Sequence, residues 1–150
     1  MTKSEIITFA LSKLQSRIEE VEQQIVQTEK SQAEDSKSSA GDKFETGRER
    51  LQQELDRLGE QLSYLQDQRM ALTYLERSKS AGRDVSGSLF TLKNGMRYLV
   101  ATGFGKLKLA DESEVFIVSL ESPIGQALIG RIVGETFDFR GTDLELIAIE

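Results

Sequence analysis

At 150 residues and 16.8 kDa, the chain is long enough for one ordinary domain or two small ones. It has no cysteine and no histidine, which excludes disulfide frameworks, thiol nucleophiles, Cys/His zinc sites and His-dependent acid–base catalysis. The formal net charge of −6 is spread evenly: residues 1–81 hold 12 basic and 15 acidic side chains, and residues 82–150 hold 7 and 10. Neither half has the clustered Lys and Arg of a general nucleic-acid binder, so a protein partner is the first expectation, with no stable independent nucleic-acid binding.

The N-terminal Met1-Thr2-Lys3-Ser4-Glu5 leads into a charged helical pattern rather than an apolar signal core. No apolar run approaches the roughly 20 residues that cross a bilayer. A soluble, cytoplasmic protein without membrane contact is expected.

Apolar residues then recur at Ile7, Leu11, Leu14, Ile18, Val21 and Ile25, in alternating steps of four and three, with Thr28 as a polar continuation. This narrow heptad seam suits a partner helix. A second seam runs through Leu51, Leu55, Leu58, Leu62, Leu65 and Leu72, with Phe44 one heptad ahead. Arg69 interrupts it, and Met70 is the residue expected to fill the gap. Between the seams, Ser31–Gly41 has no large apolar residue and is rich in Ser, Asp and Gly, so the chain should reverse there. The reading is an antiparallel coiled-coil hairpin over residues 1–80, an arm of about 45–55 Å at 1.5 Å per residue, with an acidic tip at about 31–45.

The Ser/Gly-rich stretch Ser78–Gly87 marks a boundary. Beyond it, strands are expected near Leu89–Leu92, Tyr98–Thr102, Glu114–Ser119, Glu135–Phe139 and Leu144–Ile149, the last two joined by a turn at Arg140-Gly141-Thr142-Asp143. One short helix has Ser122 as N-cap, Pro123 at its first position and Gly130 at its end. The fold class is α+β, with residues 82–150 as a small antiparallel sheet crossed by one helix, a docking module rather than a catalytic cleft.

Two stretches carry a family resemblance. Ser122-Pro123-Ile124-Gly125-Gln126-Ala127-Leu128-Ile129-Gly130, continued by Val133-Gly134-Glu135-Thr136-Phe137-Asp138-Phe139, is similar to the FKBP-like C-terminal domain of the bacterial Gre family of transcription elongation and transcript cleavage factors. The hairpin tip resembles that family's tip motif, with Asp35, Lys37, Ala40, Asp42, Phe44, Arg48 and Glu49 laid on its pattern and Gly41 and Lys43 as extra residues. Ser38 stands where the family has its second acidic residue, and Ser39 replaces its Asn.

The resemblance implies that the hairpin enters the secondary channel of RNA polymerase while residues 82–150 dock on its rim. The factor would be a cofactor of the polymerase rather than an independent enzyme, reaching the nascent RNA 3′ end only indirectly. Tip carboxylates would help hold a second Mg²⁺ at the polymerase active site. Mg²⁺ takes oxygen ligands, and two metals stabilise both attacking and leaving oxygens in phosphodiester hydrolysis. Asp35 and Asp42 are the preferred pair, with Glu34 and Glu45 as further candidates and Lys37 and Phe44 as partner-binding residues. Plainer roles stand beside these: Asp42 with Glu45 has the spacing of a helix cap, and Phe44 can close the seam.

Two other readings remain: a channel-binding regulator without cleavage activity, in keeping with Ser38, and a peptidyl-prolyl isomerase. The isomerase reading rests on the FKBP-like resemblance alone and would require an aromatic-lined pocket.

Overall fold

The computed structural model describes residues 1–35, 41–78 and 86–150, with side chains described for these except at 35 and 41–44. Two long helices come first, α1 (Lys3–Asp35, 33 residues) and α2 (Gly41–Arg77, 37 residues). Thr2 starts α1 with a reciprocal capping box. The Glu5 amide donates to Thr2 Oγ1 at 3.2 Å, and the Thr2 amide donates to Glu5 Oε2 at 2.7 Å. The Thr2 amide, ahead of the Thr2 side chain, holds the Glu5 carboxyl below its usual range.

The seam predicted for α1 is present. Ile7, Leu14, Ile18 and Val21 are buried, and Leu11, Ile25 and Thr28 are half-buried. On α2, Leu58, Leu65 and Leu72 are buried, with Leu51, Leu55 and Leu62 half-buried. Three side-chain hydrogen bonds link the helices: Thr8 to Glu76 at 3.2 Å, Arg69 to Gln15 at 2.8 Å and Gln32 to Gln52 at 3.4 Å. Each step forward in α1 is matched by an equal step back in α2.

One expectation about these helices is corrected. Met70 does not fill the seam but is 68% exposed, because Gln68 occupies the buried position at 3% exposure. A step of three from Leu65 reaches Gln68 and a step of four from there reaches Leu72, which preserves the alternation. Of the stretch Ser31–Gly41, in which the chain is expected to reverse, α1 takes the residues to Asp35 and α2 begins at Gly41, and residues 36–40 lie outside the described residues. Helix propagation adds a hydrogen bond per residue once nucleated, so weak formers at the end of a long helix are carried along.

The chain forms two compact units. Ser12–Arg69 is the helical unit. The sheet unit joins Met1–Leu11 and Met70–Glu150, and so includes the first turns of α1 and the last turns of α2. Within the sheet unit Ile6 and Ala10 are fully buried beside Ile7, which widens the apolar stripe of α1 beyond a two-position seam. Arg97 donates to the Met1 carbonyl at 3.0 Å.

The sheet has six strands: β1 (Leu89–Leu92), β2 (Arg97–Val100), β3 (Gly105–Lys108), β4 (Glu114–Val118), β5 (Thr136–Phe139) and β6 (Thr142–Ile149). Their spatial order is β3-β4-β2-β1-β6-β5. Contrary to the expected antiparallel sheet, it is mixed. β2 and β4 pair in parallel, Tyr98 opposite Phe116 and Val100 opposite Val118, while the other neighbours are antiparallel. The unexpected strand β3 makes this possible, since it carries the chain back so that β4 runs in the direction of β2.

Alternation divides the sheet residues between two faces. Phe90, Leu92, Tyr98, Val100, Phe137, Leu144 and Leu146 form one core with Ile124 and Leu128 of helix α3 (Pro123–Leu128). Leu89, Leu99, Val115 and Ile117 face the other way and are completely buried. At roughly 1.5–3 kcal/mol per fully buried large apolar side chain, this double burial dominates the unit's stability. The β5–β6 turn is tighter than the four residues expected. Phe139 pairs with Thr142, and Arg140 and Gly141 both have positive φ, 52° and 82°, as a two-residue type I′ hairpin requires.

Helix α3 begins as expected. Ser122 Oγ accepts the Gly125 amide at 3.1 Å and donates to the Ser119 carbonyl at 2.7 Å, with Pro123 in the first turn. A Cβ at Gly125 would collide with the Ser119 carbonyl and come within 2.9 Å of that of Leu120. Only glycine lets α3 lie this close to the chain leaving β4.

Candidate functional site

The candidate site lies where α1 ends and α2 begins. Glu34, in the last turn of α1, and Glu45, in the second turn of α2, are both exposed. Asp35 closes α1, while Asp42 and Phe44 fall in the first turn of α2. Because α2 starts at Gly41, Asp42 is already inside the helix rather than in the flanking cap position. The side chains of Asp35, Asp42 and Phe44, and the whole of Lys37, lie outside the described residues.

The cross-helix bonds fix the level of these positions along the helices. Gln32 meets Gln52, so three residues further Asp35 is level with Glu49, next to Arg48. Asp42 lies seven residues beyond Glu49 on the continuous helix α2, about 10 Å at 1.5 Å per residue. Counted from that bond, Asp35 falls at the level of Glu49, and Glu45 lies between the levels of Asp35 and Asp42. Arg48, Glu49 and Arg50 are exposed, so the helix ends present alternating charge to solvent. Among the described residues there is no group of three or more Asp or Glu that could hold a metal ion by itself.

Farther along α2, Arg57 grips Glu54 through two nitrogens at 2.6 and 3.0 Å. The contact holds the Glu54 carboxyl down and the Arg57 guanidinium up. Both side chains are largely exposed, 59% for Arg57 and 43% for Glu54, and such pairs add little to stability.

In residues 86–150 the aromatic residues serve the interior. Phe90, Tyr98, Phe104 and Phe137 are buried, and Phe116 and Phe139 pack against the core. Tyr98 stacks on Phe116 with ring centres 5.4 Å apart, and burial raises its hydroxyl pKa. A cleft of about 420 Å³ lies at the ends of β5 and β6, lined by Lys93, Asn94, Thr136, Thr142, Asp143, Leu144 and Glu145. No aromatic side chain lines it, and Lys93 is bound to Glu145 at 2.8 Å.

One surface escaped the sequence reading. Arg131 reaches back to the Ala127 carbonyl at 3.0 Å, pairs with Glu135 at 3.2 Å and lies over the Phe137 ring at 4.7 Å. Glu135 also accepts the Ile132 amide at 3.0 Å, and that bond, ahead of Arg131, holds its carboxyl below the usual range. The loop so braced displays Ile132 at 69% and Val133 at 57% exposure. Its signal was present as two branched apolar residues in a loop between Gly130 and Gly134, both of positive φ, where no strand or helix would bury them.

Compared with known protein families and with curated proteins, the chain matches none.

Proposed function

We propose that the chain is an RNA polymerase-binding transcription elongation factor of Gre type. Its two helices form an antiparallel coiled-coil arm that enters the secondary channel, and its FKBP-like sheet unit docks on the polymerase rim. The observation that carries this reading is the pair of helices of 33 and 37 residues, bonded to each other at three matched levels and ending in exposed acids. By helix rise they are about 50 Å long, a reach that serves a narrow opening better than a flat surface. The braced pair Ile132 and Val133 suits a protein contact, since exposed apolar side chains on a rigid loop lose little conformational entropy when covered.

In this reading the tip carboxylates, Asp35 and Asp42 first and Glu34 and Glu45 after them, complete a Mg²⁺ site held jointly with the polymerase. The metal supplies charge stabilisation for hydrolysis of backtracked RNA. The chain's own residues deliver and orient the carboxylates, while Lys37 and Phe44 contact the partner. The 10 Å offset between the levels of Asp35 and Asp42 favours Asp35 acting with a neighbour at its own level, or Asp42 acting alone at the leading end.

A second reading is a channel-binding regulator without cleavage activity. Ser38, in place of an acid, favours it. The two are separated by adding the full chain to a stalled, backtracked elongation complex while measuring binding. The cleavage reading predicts shortened RNA with wild type, and shortening lost with binding retained in Asp35→Ala or Asp42→Ala. Unchanged RNA length at saturating factor would leave the regulator.

A further inference from the structure

Asn94 is the chain's single asparagine, and it is followed by Gly95. The two form the turn between β1 and β2, where both are exposed. Leu92 and Met96 close the turn through the Leu92 amide and Met96 carbonyl at 2.9 Å, and Gly95 has φ +88°. Asn94 Oδ1 accepts the Met96 amide at 3.0 Å, the local side-chain-to-backbone bond of an Asx turn.

That bond has a chemical consequence. It holds the side-chain amide folded back along its own backbone, toward the nitrogen of the next residue, and it places an N–H donor on the oxygen where charge develops when Cγ is attacked. Residue 95 is glycine and has no side chain to crowd the attack of its nitrogen on Cγ. The Gly95 amide does donate to the Leu92 carbonyl at 2.9 Å, which restrains the nitrogen and makes the folded turn slower to react than a free peptide.

The geometry points to Asn94 as a site of spontaneous deamidation in the folded protein. The Gly95 nitrogen loses its proton and bonds to Asn94 Cγ, the Cγ–N bond of the amide breaks, and ammonia leaves with that proton, closing a succinimide. Water then opens the ring at either carbonyl, giving aspartate or isoaspartate. Either product adds one negative charge to the net −6 beside the Lys93–Glu145 pair. The new carboxylate competes with Glu145 for Lys93 at the rim of the cleft. Isoaspartate also lengthens the backbone of the tight turn between Leu92 and Met96.

The chain has one asparagine but many glutamines, whose slower deamidation gives the same mass change, so peptide mapping assigns the gain in intact mass to its residue. Full-length protein is held in mildly alkaline buffer at physiological temperature, folded or in urea, and followed by intact mass and peptide mapping. The folded sample is expected to gain the mass of an amide-to-acid conversion, mapped to Asn94, more slowly than the urea sample and with isoaspartate among the products. The Asn94→Gln variant, whose longer side chain cannot close the five-membered ring, is expected to show no gain. Conversion only in urea, no conversion in either sample, or an equal gain in Asn94→Gln would each overturn the assignment.

Discussion

The helical and sheet units are stabilised in different ways, and the contrast explains how each tolerates change. In the helical unit the buried apolar contacts lie along one seam between the helices, and the rest of the surface is mostly polar, with Val26 and Tyr64 exposed. A buried Gln68 is accommodated there at 3% exposure. In the sheet unit both faces are covered, strands distant in sequence pair, and single backbone positions are critical. Loss of one seam contact shortens a helix pair, whereas loss of one close approach disturbs a packed core.

Gly125→Ala tests that contrast most severely. The added methyl meets two backbone carbonyls, which cannot swing away as a side chain would, and overpacking of this kind costs about 2–3 kcal/mol. The expected result is a lower melting temperature with loss of the near-ultraviolet signal of Tyr98, while the helical signal of residues 12–69 is retained. Simultaneous loss of both signals would show that the units do not differ in this way.

Gln68→Leu is a smaller perturbation and acts in the other direction. A polar residue in a helix seam specifies register at a cost in stability. Leucine adds buried apolar surface and removes a hydrogen-bonding side chain, for a net gain on the order of 1 kcal/mol. Thermal unfolding followed by helical circular dichroism should shift upward. A clear downward shift would mean that Gln68 holds the helices together rather than merely aligning them.

The smallest effect concerns pH. The folded state depresses the Glu135 pKa, so its stabilising contribution is present above the unfolded carboxyl value and is lost as pH falls through the lower, folded value. Wild type should melt slightly above Glu135→Gln at neutral pH, and the difference should vanish in acid. A difference that persists in acid would assign the loop brace to shape rather than charge.

Local signals made much of this fold readable in the sequence. The four-and-three seam, the Ser122-Pro123 helix start and strands β1, β4 and β5 follow from spacing and cap chemistry that act over a few residues. Strand β3 was missed because Gly105-Lys106-Leu107-Lys108 has one apolar residue. Its lysines serve as a charged edge, with Lys106 paired to Glu114 at 2.6 Å. The parallel β2–β4 pairing was missed because no local pattern encodes which distant strand lies alongside. At the candidate site, acid content was legible but level was not, since the offset of Asp42 from Asp35 depends on where α2 begins and which glutamines meet.

The central claim is that this chain binds RNA polymerase, and the most direct measurement is its equilibrium association with bacterial core RNA polymerase, using the full chain. The account predicts saturable binding that weakens when Ile132 and Val133 are both replaced by Asp and is retained in Asp35→Ala. Absence of binding by the folded, wild-type chain would contradict it.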